Sequence, residues 1–382
     1  MLPVMLPGMR FAGTLADLGK KLLAFLIGLA IVVLPLEAGL RLVNRSSDPR
    51  VLVYPRRPTG INGLEDPGFT RRRPEGEFRI LALGASAFVT RSFQPEFQRL
   101  LNESPFFRSR GLRVRVVSTG VPAHMTFDSL WKYRYWYRGT DFDLVIFYHA
   151  INDARANNYP RGVFRDDYAQ MPYYRQYAPV FEWIGRHPLL SRSFFLTFLV
   201  KLGARAWIQV APAFQREAPY TDPRDDPWLA EGADIKTAAV FERNLEEVLA
   251  LARERRQRVL LLTYASYVPA DYSNQKFLAK QGDYTFMPES IAIEVWGRKD
   301  NVVKAIEAHN AVIRKVASQH PEVIFFDMER FMPKDRLHFI DVCHWTDLGR
   351  ETFARGVLQA LESASPDDAK EDVAGAPREA GA

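Results

Sequence analysis

Short apolar runs alternate with longer amphipathic segments over most of the 382-residue chain. Runs such as RILAL (79–83) and DLVIFY (143–148) are almost wholly apolar, which predicts strands buried on both faces. Segments such as 238–256 and 301–320 repeat apolar residues at helical spacing. Strands that alternate with helices indicate an α/β fold with a parallel sheet between two layers of helices.

The same patterns predict five strands and five helices between residues 79 and 362. The predicted strands are 79–83, 114–118, 143–148, 258–264 and 322–326, and the predicted helices are 95–101, 127–137, 238–256, 301–320 and about 347–362. An aromatic-rich region of about 154–235 interrupts this alternation. Its most apolar stretch, 194–210, carries Lys201 and Arg205, so we expect a helix packed on the domain rather than a second membrane span. A lid over the active site and a helix lying on a bilayer surface remain open.

The N-terminal region contains an apolar run of fifteen residues, LLAFLIGLAIVVLPL (22–36). Extended to residue 43 it reaches the length of about 20 residues that a membrane-spanning helix needs. Glu37 and Arg41, four residues apart, can pair on one face of that helix. We see no convincing cleavage site of small residues, so the sequence favours an uncleaved single-pass anchor at 22–43 over a signal peptide. The positive charges flanking the run are nearly balanced and do not decide its orientation.

The sequence therefore divides into an N-terminal segment (1–21), the anchor, a linker (44–77) rich in Arg, Pro and Gly, one large domain (78–363) and a tail (364–382). The tail is small, polar and acidic, which is typical of disorder. The large domain carries the 154–235 region as an insertion.

Composition narrows the kinds of chemistry that are expected. The formal net charge is +6, but the basic residues are scattered and no nucleic-acid-binding motif occurs. The single cysteine, Cys343, excludes an intrachain disulfide and a cysteine-rich metal site. The seven histidines show no metal-binding spacing, and no phosphate-binding glycine loop is present. We therefore expect no metal, no cofactor, no nucleotide and no nucleic-acid partner.

Candidate reactive residues follow the predicted strands, where ligands bind in open α/β sheets. The segments are GAS (84–86), STGVPAHMT (118–126), HAIND (149–153) and DVCHWTDLG (341–349). A serine hydroxyl needs a base to take its proton during attack, and His344 is the candidate base for Ser86. Asp341, three residues before His344, can accept the other imidazole N–H. Thr346 is the expected N-cap of the last helix.

These four blocks, in this order, resemble the SGNH (GDSL-like) hydrolase superfamily over about residues 78–363. The most specific block is Asp341-x-x-His344, followed by Asn152-Asp153. The resemblance implies a three-layer, flavodoxin-like fold and a catalytic triad of Ser86, His344 and Asp341. It also implies an oxyanion hole formed by the Ser86 amide, a glycine-block amide and the Asn152 side chain.

The sequence departs from the family pattern at Ala85, Ala123 and Ala150, where the family has Asp, Gly and Gly. If Ser118 aligns with the residue that opens the second block, Ala123 supplies the oxyanion amide, and Gly120 is the fallback. An alanine can do so provided the backbone there does not need a positive φ. His124 and His149 adjoin the site, but we expect buried, hydrogen-bonded histidines, and we expect Cys343 to be a packed residue rather than a nucleophile.

Together these features predict a membrane-anchored serine esterase of the bacterial inner membrane, with its catalytic domain outside the cytoplasm by resemblance. The substrate would be an ester-bearing glycan or lipid, with O-acetyl groups of an envelope glycan favoured by the small residues of the site. An O-acyltransferase uses the same triad and is not distinguished. A non-catalytic protein that binds a glycan or a partner is the competing hypothesis, motivated by the three alanines. Oligomeric state is left open.

Overall fold

The computed structural model describes residues 9–44, 70–89, 93–171, 174, 178–210 and 227–364. Most of the predicted linker and nearly all of the predicted tail lie outside these residues. The chain divides into two compact units. The first, here called the anchor unit, comprises Met1–Pro55 and Gln176–Arg216, and the second, the sheet unit, comprises Arg56–Arg175 and Glu217–Ala382.

The sheet unit contains one sheet of five parallel strands, as predicted. The strands are β1 Glu77–Leu83, β2 Arg113–Ser118, β3 Leu144–Phe147, β4 Arg258–Leu262 and β5 Ile324–Phe326. Their spatial order is β2-β1-β3-β4-β5. This is the flavodoxin-like order, in which the chain builds outward in both directions from β1 and places the switch point between β1 and β3.

Helices flank the sheet and form the anchor unit. They are α1 Met9–Asn44, α2 Gln94–Glu103, α3 Pro105–Arg108, α4 Thr126–Tyr135, α5 Ile151–Ala154, α6 Ala178–Arg186, α7 Phe194–Val210, α8 Thr237–Glu254, α9 Asn274–Leu278, α10 Lys299–Gln319, α11 Met328–Phe331 and α12 Asp347–Ser363. The short 3-10 turns are Ser86–Phe88, Arg155–Asn158, Leu190–Arg192, Pro227–Ala233 and Ile293–Val295. All five predicted helices of the sheet unit are confirmed to within a few residues.

Two hydrophobic cores lie on opposite faces of the sheet, because successive strand residues point in opposite directions. On one face, Ile80 and Ala82 pack with residues of α2 and α12. On the other, Leu81 and Leu83 pack with residues of α4 and α8. Helix α10 contributes to both cores. The result is the three-layer arrangement that the continuous apolar strands predict.

The anchor unit is built on α1, a helix of 36 residues that begins before the predicted residue 22. Its segment Lys20–Val43 is long and apolar enough to cross a membrane. The predicted pair forms, with Arg41 Nε 2.8 Å from Glu37 Oε1. The apolar stretch 194–210 is helical, as predicted; it belongs to the anchor unit, where it packs against α1 and α6.

Candidate active site

The four predicted blocks meet at the carboxyl edge of the sheet. Ser86 opens a 3-10 turn directly after β1, and Asn152 lies in α5 directly after β3, so the two flank the switch point. Asp341 and His344 lie in the loop that leads into α12. Thr346 caps that helix as predicted, its Oγ1 accepting a hydrogen bond from the Gly349 N–H at 3.1 Å. The edge of a parallel sheet brings together segments more than 250 residues apart in the chain because all its strands end there.

Asp341 orients His344 directly. His344 Nδ1 lies 2.8 Å from Asp341 Oδ2, and the His344 backbone N–H donates to Oδ1 at 2.9 Å. The remaining donors to this fully buried carboxylate are the backbone N–H groups of Cys343 and Ile291, each at 2.9 Å. The carboxylate is therefore rigidly held, and it fixes the Nδ1–H tautomer that leaves Nε2 free to take a proton.

The protonation equilibria of this pair are coupled. Burial opposes ionisation of Asp341, but the hydrogen bonds and charge of His344 and the two backbone N–H groups lower its pKa below the ordinary value. Burial likewise opposes the charged form of His344, yet interactions with Cys343 and Asp341 raise its pKa above the ordinary value. Because burial raises the pKa of the Cys343 thiol, that thiol is neutral at pH 7, and we assign the effect on His344 to the Asp341 carboxylate.

Ser86 and His344 line one cavity of about 690 Å³. Its walls also contain Ala87, Val89, Pro122, Thr285, Met287, Glu289, Ile291, Leu337, Ile340, Trp345, Thr346, Asp347, Leu348 and Arg350. No Ser86–His344 hydrogen bond occurs among the residues that the structure describes; catalytic contacts of this kind commonly shorten only when substrate binds. A volume in this range suits a small organic ligand.

Ala123 occupies a strained position directly after Pro122, which lines the cavity. The His124 N–H donates to the Val121 carbonyl at 3.2 Å, which closes a β-turn with Pro122 and Ala123 at its centre. Ala123 has a φ of 65°, the left-handed value that the third residue of a type II turn requires and that favours glycine. The condition placed on Ala123, that its backbone avoid a positive φ, is therefore not met. The folded chain nevertheless holds the alanine in this conformation at a cost in strain, so its backbone N–H stays a candidate donor.

Gly120 has a structural role instead. Its N–H donates to Ser118 Oγ at 3.1 Å, and it pairs as an isolated bridge with Val89. A Cβ at this position would lie 2.0 Å from the Phe88 carbonyl oxygen, so only glycine fits. Since its amide is already satisfied and buried, we set Gly120 aside as an oxyanion donor. It holds the loop after β2 against the turn that carries Ser86.

Asn152 is held by contacts on both ends of its amide. Its Nδ2 donates to the His124 carbonyl at 2.9 Å, and its Oδ1 accepts from the indole N–H of Trp296 at 2.7 Å. The indole can only donate, so it determines which end of the amide is oxygen and which is nitrogen. The sequence analysis missed Trp296, because nothing in its local pattern relates it to a residue 144 positions earlier.

Buried polar groups support the loop that carries Ala123. The Lys132 ammonium group donates to the Thr119 carbonyl at 2.8 Å and lies 2.7 Å from His124 Nδ1. Burial lowers the pKa of Lys132 to about 7. At the end of the loop, Asp153 accepts from the Thr126 hydroxyl at 2.7 Å and from its backbone N–H. Asp153 is fully buried, so these hydrogen bonds tie α5 to the start of α4 and the carboxyl does not face substrate. Burial raises the pKa of Asp153 to about 7.

The remaining candidates are structural. His149 is buried, with Nε2 2.8 Å from Ser129 Oγ, and burial lowers its pKa to about 3, so it is neutral. Cys343 is fully buried in the core. The ligand atoms of Asp341, Cys343 and His344 lie within 4.8 Å of one another. Both Asp341 oxygens already accept hydrogen bonds from N–H groups, and the thiol is neutral, so this donor set fits an Asp–His pair better than a metal ion.

Comparisons with known proteins return structural likenesses only. No family model and no curated protein matches the chain. A GDSL-like lipase from Bacteroides thetaiotaomicron is 14% identical with a TM-score of 0.39, covering 79% of this chain and 96% of its own. A lipase/acylhydrolase from Enterococcus faecalis is 13% identical with a TM-score of 0.36, covering 75% and 96%. An acetyl xylan esterase from Geobacillus stearothermophilus is 11% identical with a TM-score of 0.38, covering 77% and 97%. Likenesses this distant leave the function to be argued from the site itself.

Proposed function

We propose that this protein is a serine esterase whose nucleophile is Ser86. The proposal rests on the arrangement of three side chains. Ser86 and His344 line the same cavity, and Oδ2 of the fully buried Asp341 lies 2.8 Å from His344 Nδ1. A histidine oriented by a carboxylate beside a serine at the end of a strand is the arrangement that activates a hydroxyl for attack.

The reaction follows from these positions. Ser86 Oγ attacks the ester carbonyl carbon while His344 Nε2 takes the hydroxyl proton, and the carbonyl π electrons move to oxygen. The Ser86 and Ala123 backbone N–H groups and Asn152 Nδ2 are the proposed donors to that oxyanion. Collapse of the tetrahedral intermediate breaks the bond to the alcohol, which leaves with the proton from His344. Water, deprotonated by His344, then attacks the acyl-enzyme, and Ser86 regains its proton when the acid departs.

The lining and the volume of the cavity indicate the kind of ester that it could bind. Most of its lining side chains are apolar, among them Met287, Ile291, Ile340 and Trp345. Its volume of about 690 Å³ exceeds what an acetyl group would fill, so the short acyl chain suggested by the small residues is not required. We propose an ester with a larger apolar acyl or alcohol part, a lipid or an acylated glycan, because each buried methylene contributes about 0.8 kcal/mol to binding.

We further propose that α1 anchors the enzyme in a bacterial inner membrane. The support is the length and apolar character of Lys20–Val43, whose apolar side chains are exposed to solvent in the structure and need an apolar environment. Placing the catalytic domain outside the cytoplasm follows the resemblance described above and not the charge pattern.

The test uses full-length protein in detergent, with and without Ser86→Ala. We would measure hydrolysis of p-nitrophenyl esters of increasing chain length, and covalent labelling by a fluorophosphonate probe. We expect both signals in the wild type and neither in Ser86→Ala, with the rate rising beyond the acetyl ester. Ser109→Ala, a change at an exposed serine, is the matched control and should keep both.

A folded wild type that neither hydrolyses any ester of the series nor reacts with the probe would contradict the proposal. That outcome would favour the non-catalytic binding hypothesis. Circular dichroism on each variant establishes that a lost signal reflects lost chemistry and not unfolding.

A further inference from the structure

Glu37 of α1 is held by a segment 150 residues later in the chain. Its carboxylate accepts from the backbone N–H groups of Phe194 at 3.0 Å and Phe195 at 2.8 Å, and from Ser193 Oγ at 2.9 Å. These are the first N–H groups of α7, which otherwise lack helical partners. A carboxylate at a helix N-terminus is also favoured by the helix dipole. Glu37 therefore caps the N-terminus of α7 together with Ser193, whose Oγ accepts from the Leu196 N–H at 3.2 Å.

Arg41 completes the junction from the same face of α1. It pairs with Glu37, donates to the Arg192 carbonyl at 3.2 Å and lies over the Phe194 ring, 5.2 Å from its centroid. Among the residues that the structure describes, Glu37 and Arg41 therefore both have polar partners within the anchor unit. Such pairing is what permits a carboxylate and a guanidinium to lie near hydrocarbon.

The contact extends from Glu37 into the apolar run. Ala30, Val33, Glu37 and Leu40 are half-buried, whereas most residues of Lys20–Val43 are exposed. Their spacing of three and four residues places them on one side of α1. Ala30 lies two turns before Glu37, so the partly covered side of α1 extends into its apolar run.

Helix α7 presents a complementary stripe. Phe194, Thr197 and Ala204 are buried and Lys201 is half-buried, again at spacings of three and four. Small residues such as Thr197 and Ala204 allow two helices to approach closely, which is how helices associate within membranes. Helix α7 packs on α1, on α6 and on the turn Leu190–Arg192, where Thr197 Oγ1 donates to the Ser191 carbonyl at 3.3 Å.

Several large apolar side chains of α7 and of the turn before it are exposed, alongside the exposed Arg192 and Arg205. Leu189 is 73% exposed and Leu190 51%, and on α7 Phe198, Leu199 and Leu202 are 41%, 43% and 53% exposed. A contiguous group of large apolar side chains beside a candidate membrane span is costly in water and favourable in lipid.

We propose that residues 189–204 are a second lipid-contacting element, held against the anchor helix by Glu37 and inserted into the same bilayer leaflet. This inference rests on the proposed anchoring of α1 in a membrane. The exposed apolar side chains of the element belong to a helix packed on α1, and this association favours lipid over a protein partner. The anchor unit is then a helical pair rather than a single span, and Glu37 is the residue that holds the pair together.

The test uses full-length protein in vesicles of phosphatidylethanolamine and phosphatidylglycerol. Phe198→Cys and Leu202→Cys would each be labelled with an environment-sensitive bimane. The wild type is the blank, because its one cysteine is buried. We expect blue-shifted emission that nitroxide-labelled lipid quenches and aqueous iodide does not. Glu103→Cys, at an exposed site on α2, should show the reverse.

Labels at 198 and 202 that respond to iodide as strongly as the label at 103 would overturn the proposal. Labels shielded from both iodide and lipid would overturn it too, because they would indicate a protein neighbour. Glu37→Ala should reduce lipid quenching at 198 while carbonate washing still leaves the protein in the membrane. Asp17→Ala, which removes an exposed carboxylate of the same helix, should leave the quenching unchanged; equal quenching in both variants would refute the role of Glu37.

Discussion

The indole N–H of Trp296 donates a hydrogen bond to Oδ1 of Asn152 over 2.7 Å. Trp296 lies in the loop before α10, and Asn152 lies in α5, the short helix that follows β3. With Oδ1 held by the indole and one Nδ2 proton held by the His124 carbonyl, the second Nδ2 proton has a determined direction. Trp296 is therefore a positioning residue for the proposed oxyanion donor.

Trp296→Phe should lower kcat more than it changes KM. The substitution keeps most of the apolar volume but removes the donor, which leaves a buried acceptor unsatisfied at a cost of about 1–3 kcal/mol. An amide free to rotate is a poorer oxyanion donor, so we expect kcat on a p-nitrophenyl ester to fall roughly tenfold or more. Trp183→Phe, in the anchor unit, is the control and should leave kcat unchanged. A KM effect alone would show that Trp296 contacts substrate instead.

Ala123→Gly should stabilise the protein. Ala123 has a φ of 65°, and the left-handed conformation costs a residue with a Cβ about 1–2 kcal/mol. Glycine adopts it without that cost, so the free energy of unfolding in urea should rise by roughly 1 kcal/mol with the esterase activity retained. Ala250→Gly, at an exposed position of α8, should instead lower stability by about 1 kcal/mol. Loss of stability in both variants would mean that Ala123 is not strained.

The acid limb of the pH–rate profile should lie above the ordinary histidine pKa of about 6.5. His344 must be neutral to accept the Ser86 proton, and Asp341 raises the pKa of His344 by stabilising the imidazolium. Activity therefore rises with pH through that raised value. Asp341→Asn removes the charge, so the limb should move to lower pH while kcat falls by about four orders of magnitude. If the acid limb of Asp341→Asn lies at the same pH as that of the wild type, a group other than His344 titrates there.

The free energy of unfolding should also depend on pH, with opposite signs for His344 and Asp341. The folded-state pKa of His344 is raised, so its contribution is full below about pH 6.5 and is lost as pH rises through the folded value. The folded-state pKa of Asp341 is lowered, so its contribution is present above about pH 3.9 and is lost as pH falls. The free energies of unfolding of wild type and His344→Gln, measured by urea titration at a series of pH values, should converge at high pH. A difference between the two variants that stays constant with pH would contradict this dependence.

Gly120→Ala should displace the turn that carries Ser86. The added Cβ would lie 2.0 Å from the Phe88 carbonyl oxygen, a backbone atom that cannot rotate away. Overpacking of this kind costs about 1–3 kcal/mol, and the fluorophosphonate labelling rate should drop with it. Gly282→Ala meets its nearest neighbour, a Tyr284 side-chain carbon, at an ordinary 3.5 Å and should be tolerated. Normal labelling in Gly120→Ala would show that the loop can shift without moving Ser86.

The strands, their parallel pairing and the flanking helices follow from the sequence pattern. A strand buried on both faces has to be apolar throughout, as β1 and β3 are, and a helix packed on one side has to be amphipathic, as α8 and α10 are. The positions of Ser86 and Asn152 after β1 and β3 follow from the same reading, because parallel strands end at one edge. Asp341 and His344 reach that edge through the loop between α11 and α12. The pairing of Glu37 with Arg41 also follows from the sequence, because residues four positions apart are neighbours on one face of a helix.

Contacts between distant segments were decided by the tertiary structure. The positive φ of Ala123, the satisfied amide of Gly120 and the hydrogen bond from Trp296 to Asn152 depend on how loops meet over the sheet. The placement of α7 against α1 also depends on a meeting of segments 150 residues apart. Hydrophobic periodicity predicts which side of a segment is buried, and local spacing predicts which residues lie on the same turn. Neither predicts which distant segment packs on the buried side. That partner is determined by complementary shape and by hydrogen bonds that form only in the folded chain.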